Sequence, residues 1–489
     1  MTRQEKRNAG AAVCWAPLSL LPVCMKLTFW GAARTVTGSL HVLDLENGTR
    51  LFLECGLFQG PREEAKRRNA EFPADPATVD AVVLSHAHMD HSGLLPRLYR
   101  QGFRGRVYCT PATRDLCELM LRDSARIQAS DADFFNRKIR KKGQPPVEPL
   151  YDEEDADGIL RRFVSFPYHH PFQVADGATV EFRDAGHILG SATVTLTVTE
   201  GGKEKRLGFT GDLGNPDRPI LRDPEKMDDC DWLITESTYG RETHEPTEQA
   251  KGRLAEVIRR AAARGGKVIV PAFAVGRTQE LVYALDQLAH EGALPDIPIF
   301  VDSPLAVDVT GVFRAHPECY DRELLDYLMK DPNPFGFERL EYVREAARSK
   351  ALNGMRVPMV IISASGMAEA GRVLHHLRNN VEDPKNVVLV VGYMAEGTLG
   401  RKLVERQSEV RIFGEPHPLR AEVVVLNYFS AHADEPGLLG FIGQMDRERL
   451  RQVFLIHGEV DRQEALKAAL DREGYRDVRI PAQREAFDL

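Results

Sequence analysis

Ser85-His86-Ala87-His88-Met89-Asp90-His91 puts four metal-ligand side chains within six positions. The apolar run Ala81-Val82-Val83-Leu84 stands directly before it and reads as a buried strand. A strand end that opens into a loop lets such residues converge. While the chain stays extended, residues two apart point the same way, so His86 and His88 can share one ion. Asp90 and His91 follow where the chain turns towards a helix near Leu94–Tyr99, and they suit a second ion. Imidazole with carboxylate is a donor set for zinc, with manganese or iron as further options.

Working outward, completing two such sites needs ligands from elsewhere. His187 lies in Ala185-Gly186-His187-Ile188-Leu189-Gly190-Ser191, between two strand-like segments and beside glycines that let a loop approach an ion. Asp212 in Thr210-Gly211-Asp212-Leu213-Gly214 ends another apolar strand, and its two oxygens can bridge two metals. His432 in Phe429-Ser430-Ala431-His432-Ala433-Asp434 is the third candidate.

The surrounding pattern changes along the chain. Residues from Leu27 to about Leu53 and from 179 to 210 read as strands in a hairpin-rich frame, and Trp232–Thr235 is a further strand. Thr113–Ile127 reads as a helix. From about residue 245, strands alternate with helices: helix Glu248–Ala263, strand Val268–Val270, helix Thr278–Ala289, and so on to strand Val387–Val391. That alternation predicts a parallel sheet covered on both faces. Strand-like segments at Glu422–Leu426 and Val453–Ile456 read as a return to the frame.

The chain has 489 residues, which suggests roughly two to four domains. It is 43 % apolar and 28 % charged with a net charge of −8, an ordinary globular balance that excludes a generally basic nucleic-acid coat. Nucleic acid, if bound, would meet a local basic cleft or the metals. The run Arg137-Lys138-Ile139-Arg140-Lys141-Lys142 is one such local feature, expected on a loop or helix end. Seven cysteines, odd in number and without C-x-x-C spacing, argue against a disulfide framework or zinc finger and for reduced thiols in the cytoplasm. No apolar run reaches the ~18 residues of a membrane span. Residues 1–24 begin basic and are interrupted by Pro17 and Pro22, with no cleavage site following; they read as a disordered extension rather than a signal peptide.

The motif containing His86, His88, Asp90 and His91, then His187 and Gly211-Asp212, with Leu53-Glu54-Cys55-Gly56 upstream, resembles the metallo-β-lactamase superfamily. Downstream segments narrow the resemblance. Ile234-Thr-Glu236-Ser-Thr-Tyr-Gly240, Pro271-Ala-Phe-Ala-Val-Gly-Arg277, Ser363-Ala-Ser365-Gly366-Met367, Gly392-Tyr-Met-Ala-Glu-Gly-Thr-Leu-Gly400, Phe429-Ser-Ala-His432 and Leu455-Ile-His457-Gly-Glu459 are similar to β-CASP segments. The likeness runs from residue 25 to about 475, and is nearest to bacterial and archaeal relatives of the eukaryotic mRNA 3′-end-processing endonuclease.

The resemblance implies an α/β fold: a metallo-β-lactamase αββα sandwich from 25–240 and 396–489, with a β-CASP domain at 241–395. It implies two Zn2+ per chain, with Mn2+ as an alternative. His86, His88 and His187 would hold one ion, Asp90, His91 and His432 the other, and Asp212 both. A hydroxide bridging two metal ions would hydrolyse RNA phosphodiester bonds, endonucleolytically or from the 5′ end. Glu54 and Glu236 would orient the water or move its proton, and His457 would hydrogen-bond near the metals. Arg277, Ser365 and Gly366 are candidate phosphate contacts, Ser365-Gly366 also being placed to cap a helix. RNA, single-stranded where bound, is the implied partner, because a histidine at the position of His432 is typical of RNA-directed members. A homodimer is a further implication. The alternatives are a DNA nuclease of the same superfamily and a non-catalytic RNA-binding relative.

Two departures stand out. Glu54 replaces the family's usual aspartate, which shifts the carboxylate by roughly 1 Å, enough to matter in a catalytic site. Arg401 and Lys402 stand where relatives carry a histidine after Gly-Thr-Leu, and arginine cannot act as an acid near neutral pH. The leaving-group acid is thus left open. His375 and His376 read as surface or packing residues on a helix.

Overall fold

The computed structural model describes residues 24–139, 146–244, 248–392, 394, 396–426 and 430–489. The expected extension over 1–24 therefore falls almost wholly outside the described residues. So do Arg140–Lys142 of the basic run.

Two seven-stranded sheets face one another. The first runs Glu485–Asp488, Lys26–Phe29, His41–Asp44, Arg50–Leu53, Ala81–Val83, Arg106–Cys109, Phe163–Ser165. The second runs Val478–Arg479, Gln452–Ile456, Trp232–Glu236, Lys203–Phe209, Ala192–Glu200, Ala178–Asp184, Phe172–Ala175. Between them lie Leu27, Phe29, Leu53, Val83, Phe182, Val194, Phe209, Ile234 and Phe454. The strict alternation of buried and half-buried residues along Ala178–Asp184 follows from a strand with one face in this core. Helices Leu95–Arg100, Pro111–Ile139 and Glu153–Leu160 cover the first sheet, and Glu435–Ile442 and Val460–Arg472 the second. The αββα sandwich is thus the observed frame. The helix read as Thr113–Ile127 runs from Pro111 to Ile139, because no glycine or internal proline interrupts it.

A third, six-stranded sheet is inserted into the frame. It is parallel throughout, in the order Leu340–Tyr342, Ile299–Val301, Met359–Ser363, Lys267–Pro271, Val387–Val390, Glu422–Val425. Lys267–Pro271 and Met359–Ser363 are buried at every position, as strands covered on both faces must be.

The last strand corrects the expected boundary. Val387–Val390 pairs with Glu422–Val425 residue for residue, so the inserted sheet extends through Val425 and the frame does not resume at 396. The bridges Gly214↔His432 and Tyr239↔Asp434 then bring the chain back to the frame. The end of the chain closes it, with Glu485–Asp488 antiparallel to Lys26–Phe29.

Candidate metal centre

Register explains why the candidate residues meet. Leu53 pairs with Val83, Phe209 with Ile234, and Glu236 with Ile456, all in parallel. The residues just beyond these strand ends therefore emerge at one edge of the sandwich. Glu54 and His457, each the first residue past its strand, take φ of 68° and 47°, a left-handed turn that costs a side-chain-bearing residue roughly 1–2 kcal/mol. Met89–Ser92 forms one short helix immediately after His88, placing Asp90 and His91 on its first turn. Gly56 lets that turn dock: a Cβ there would collide with the Asp90 carbonyl oxygen, which accepts the Ser39 N–H at 2.7 Å.

Two sets of ligand atoms result. His86 Nε2 lies 3.1 Å from His88 Nδ1 and 3.5 Å from Asp212 Oδ2. His187 Nε2 lies 3.2 Å from His88 Nδ1 and 3.5 Å from the same Asp212 oxygen. In the second set, His91 Nε2 is 3.3 Å from Asp212 Oδ2, 3.3 Å from His457 Nε2 and 3.9 Å from Asp90 Oδ2. His457 Nε2 is 3.4 Å from Asp90 Oδ2. A tetrahedron with zinc bonds of about 2.0–2.1 Å has edges of about 3.3 Å. The first set has that spacing; in the second, Asp90, His91 and His457 cluster together and Asp212 Oδ2 reaches them through His91 at 3.3 Å. Asp212 Oδ1 is buried without a hydrogen bond. The donor set and its spacing fit metal ions.

The far sides of four of the rings, those of His86, His91, His187 and His457, are held. Ser85 Oγ meets His86 Nδ1 at 2.9 Å, the Ala431 carbonyl meets His187 Nδ1 at 3.2 Å, and Thr238 Oγ1 meets His457 Nδ1 at 3.0 Å. Glu54 Oε2 takes His91 Nδ1. Such partners fix the tautomer so that Nε2 faces the ion. Burial, first, drives His86 and His187 well below the usual imidazole range, and His88 to about 4. Neutral imidazole is the form that ligates. For Asp212, burial acts upward, but His457, His91 and His432 outweigh it and hold the carboxylate well below its ordinary value.

Two expected residues are placed differently from the expectation. His457, not His432, clusters with Asp90 and His91, while His432 clusters with Asp212, Glu236 and His457. The His432 Nδ1 is instead engaged by Glu236, at 3.0 Å from Oε2 and 3.1 Å from Oε1, and stands 3.9 Å from Asp212 Oδ2. Nor is Glu54 placed to orient a water. Its Oε1 accepts the Ser85 N–H at 2.7 Å, its Oε2 holds His91, and it is fully buried behind that ring. Glu236 is also fully buried, with Oε1 accepting the Leu213 N–H at 2.6 Å. Among these side chains, His432, Asp90 and the half-buried His88 are the open ones, the first two at 19 % and 23 % exposed against 0–4 % for His86, His91, His187, His457 and Asp212, so solvent reaches the centre past them.

The expected phosphate contacts lie at the C-terminal edge of the inserted sheet, just beyond adjacent strands Lys267–Pro271 and Met359–Ser363. Arg277 is buried and binds Glu280, which also takes Arg218 Nη2 at 2.6 Å; Arg218 Nη1 in turn donates to the Ser430 carbonyl, two residues before His432. Ser365 Oγ accepts the N–H groups of Glu369 and Ala370 at 3.2 and 3.3 Å, closing its own turn and not capping the helix Arg372–Asn380. Gly366 lies against the Phe273 ring. Arg401 pairs with Glu405 at 2.8 Å on a short helix. Arg218 and Thr238 carried no sequence signal of their role. His457 did: it follows an apolar strand, as His86 does.

Comparison with known proteins agrees with this arrangement. Residues 47–272 match the metallo-beta-lactamase superfamily model, 278–403 the Beta-Casp domain, and 416–481 the Zn-dependent metallo-hydrolase RNA specificity domain. The chain is 39 % identical to "Ribonuclease TTHA0252" of Thermus thermophilus over 92 % of its own length and 97 % of that protein. It is 32 % identical to an "RNase J-like protein" of Methanocaldococcus jannaschii, covering 88 % of this chain and 92 % of that one. It is 34 % identical to "Transcription termination factor FttA" of Pyrococcus abyssi, over 84 % of this chain but only 62 % of the relative. A crystal structure of a protein of unknown function from Enterococcus faecalis shares the fold, with a TM-score of 0.55 at 14 % identity, covering 96 % of this chain and all of that one. The chain belongs to the metallo-β-lactamase superfamily, in the branch that carries an inserted β-CASP domain.

Proposed function

We propose that the protein is a ribonuclease that hydrolyses RNA phosphodiester bonds at a centre holding two zinc ions. The observation that carries this reading is the pair of adjacent ligand clusters, His86–His88–His187 and Asp90–His91–His457, with Asp212 Oδ2 within 3.5 Å of a ring in each. His86, His88, His187 and Asp212 would hold one ion, and Asp90, His91, His457 and Asp212 the other. Ions held by these residues would supply Lewis acidity, which would activate water near neutral pH and offset charge at the phosphoryl oxygens.

The remaining steps fall to the protein's own groups. Glu236 fixes the His432 ring through Nδ1. That leaves Nε2 for the partly open side, where a protonated ring can give its proton to the leaving oxygen. Burial acts to lower His432, while the Glu236 carboxylate beside its Nδ1 favours the protonated ring. His432, with Glu236 behind it, thus fills the role of leaving-group acid that Arg401 cannot take. The Arg277–Glu280–Arg218 network ties the inserted domain to the Ser430–His432 turn, so RNA held by that domain would be aligned with the acid.

RNA as substrate draws further support from the RNA-specificity-domain match over 416–481, a stretch that carries His432 and His457. Buried free thiols at Cys55, Cys109, Cys117, Cys230 and Cys319 support a reducing, cytoplasmic setting. No described helix is long and apolar enough to cross a membrane. The reading includes a homodimer, which light scattering would test.

The test uses one RNA labelled separately at each end, the DNA of the same sequence, a chelator, and Asp212→Ala. Internal RNA cuts that vanish with chelator and in the variant support an endoribonuclease. Mononucleotides released only from the 5′ end keep the chemistry and make it an exonuclease. Cleavage of the DNA alone would overturn the RNA assignment.

A further inference from the structure

Away from the catalytic edge, the helix Arg277–His290 carries a second cluster of ligand-type side chains near its far end. Asp286, roughly 14 Å along the axis from Arg277, is fully buried. Its Oδ2 accepts the Tyr327 hydroxyl at 2.8 Å, while its Oδ1 is buried with no hydrogen-bond partner. One turn on, the His290 Nδ1–H donates to the Asp286 backbone carbonyl at 3.0 Å, which fixes the tautomer and leaves Nε2 as a free donor atom. That Nε2 stands 3.7 Å from Asp331 Oδ2, just past the helix Arg322–Leu328. One ligand atom from each of Asp286, His290 and Asp331 lies within 4.8 Å of the others.

We infer that Asp286, His290 and Asp331 form a third metal site, on the inserted domain, that takes a divalent transition-metal cation of the zinc class. Two carboxylates and one imidazole are a donor set for zinc or manganese, with water filling the remaining positions. A cation would satisfy the orphaned Asp286 oxygen, whose enclosure is otherwise costly. His290, 57 % exposed, opens the entry path, and Asp331 at 17 % forms the rim. The ion would clip the end of the Arg277 helix to the turn after Leu328, stiffening the element whose other end carries Arg277. The site shares no residue with the Asp212 centre and does not depend on what that centre cleaves.

The test counts zinc per chain in the full-length protein, equilibrated at micromolar free zinc and then exchanged into metal-free buffer. His290→Ala and Asp331→Asn are each made in the natural chain and with Asp212→Ala. Both residues reach the surface, so neither change empties the core. The site predicts one equivalent lost in each variant in both backgrounds, with RNA cleavage by His290→Ala within about twofold of the natural chain. Equal zinc with and without His290→Ala and Asp331→Asn would overturn it. An equivalent lost only when Asp212 is intact would also overturn it, because the ion would then belong to the catalytic centre.

Discussion

His91 and Glu54 set the tone at the scale of single residues. The ring nitrogen that faces the metals is fixed by the carboxylate behind it, so Glu54 acts through His91. Replacing Glu54 with Gln keeps the shape and removes the charge. Losing such an outer partner typically weakens metal binding 10–100-fold, and we expect that loss for Glu54→Gln, read by chelator competition. His432 differs in kind. Its ring is tied to Glu236 and touches solvent, so His432→Ala should lower kcat on RNA by roughly 100-fold or more while leaving the bound metal in place.

The first ligand run was legible because all its members follow one apolar strand. The choice between His432 and His457 was not. Both end apolar stretches in similar sequence, and the difference is the Glu236 carboxylate, 196 residues before His432, which captures one ring and not the other. Glu54, at a positive φ, sets its longer side chain against His91.

Among the elements, the inserted sheet has its own buried polar anchor. Asp302, just past strand Ile299–Val301, takes His376 Nε2 at 2.6 Å, Arg372 Nη1 at 2.6 Å and Ser349 Oγ at 2.5 Å. His376 is thus a packing residue, as its place on a helix suggested. Burial acts to raise the Asp302 carboxyl, but His376, Ser349 and Arg372 outweigh it and hold it below the ordinary value. A group depressed on folding stabilises above its unfolded pKa, and that contribution disappears as pH falls through the folded pKa. Asp302→Ala should cost about 3–5 kcal/mol in urea unfolding at pH 7, because Arg372 is left without its buried partner. The gap between variant and natural chain should narrow below about pH 4. The parallel sheet itself was legible from its alternating helices and apolar strands. Its sixth strand was read as part of the frame, because Glu422-Val-Val-Val425 announces a strand without announcing its neighbour, and only the pairing with Val387–Val390 puts it in the insert.

Across the whole molecule, frame and insert are joined on two sides. Near the metals, Arg218 links Glu280 to the Ser430 carbonyl. On the other side, His316 of the insert lies between Asp115 of the helix Pro111–Ile139 at 2.9 Å and Glu318 at 2.7 Å. Burial acts to lower that imidazole, but Glu318 and Asp115 outweigh it and raise it. A raised histidine stabilises fully below its unfolded pKa of about 6.5 and loses that contribution as pH rises through the folded value. Both carboxylates are well exposed, so the joint is worth about 1 kcal/mol or less. Stability of the natural chain should therefore fall slightly from pH 6 to 9, and His316→Gln should flatten that slope in thermal unfolding.

The measurement that bears most directly on the centre is metal content beside RNA turnover for His457→Ala and His432→Ala. His457→Ala should carry one metal equivalent fewer than the natural chain and not cleave, whereas His432→Ala should carry the full complement and cleave more slowly by roughly 100-fold or more. A His432→Ala protein short of one metal, beside a His457→Ala protein with all of them, would contradict this assignment.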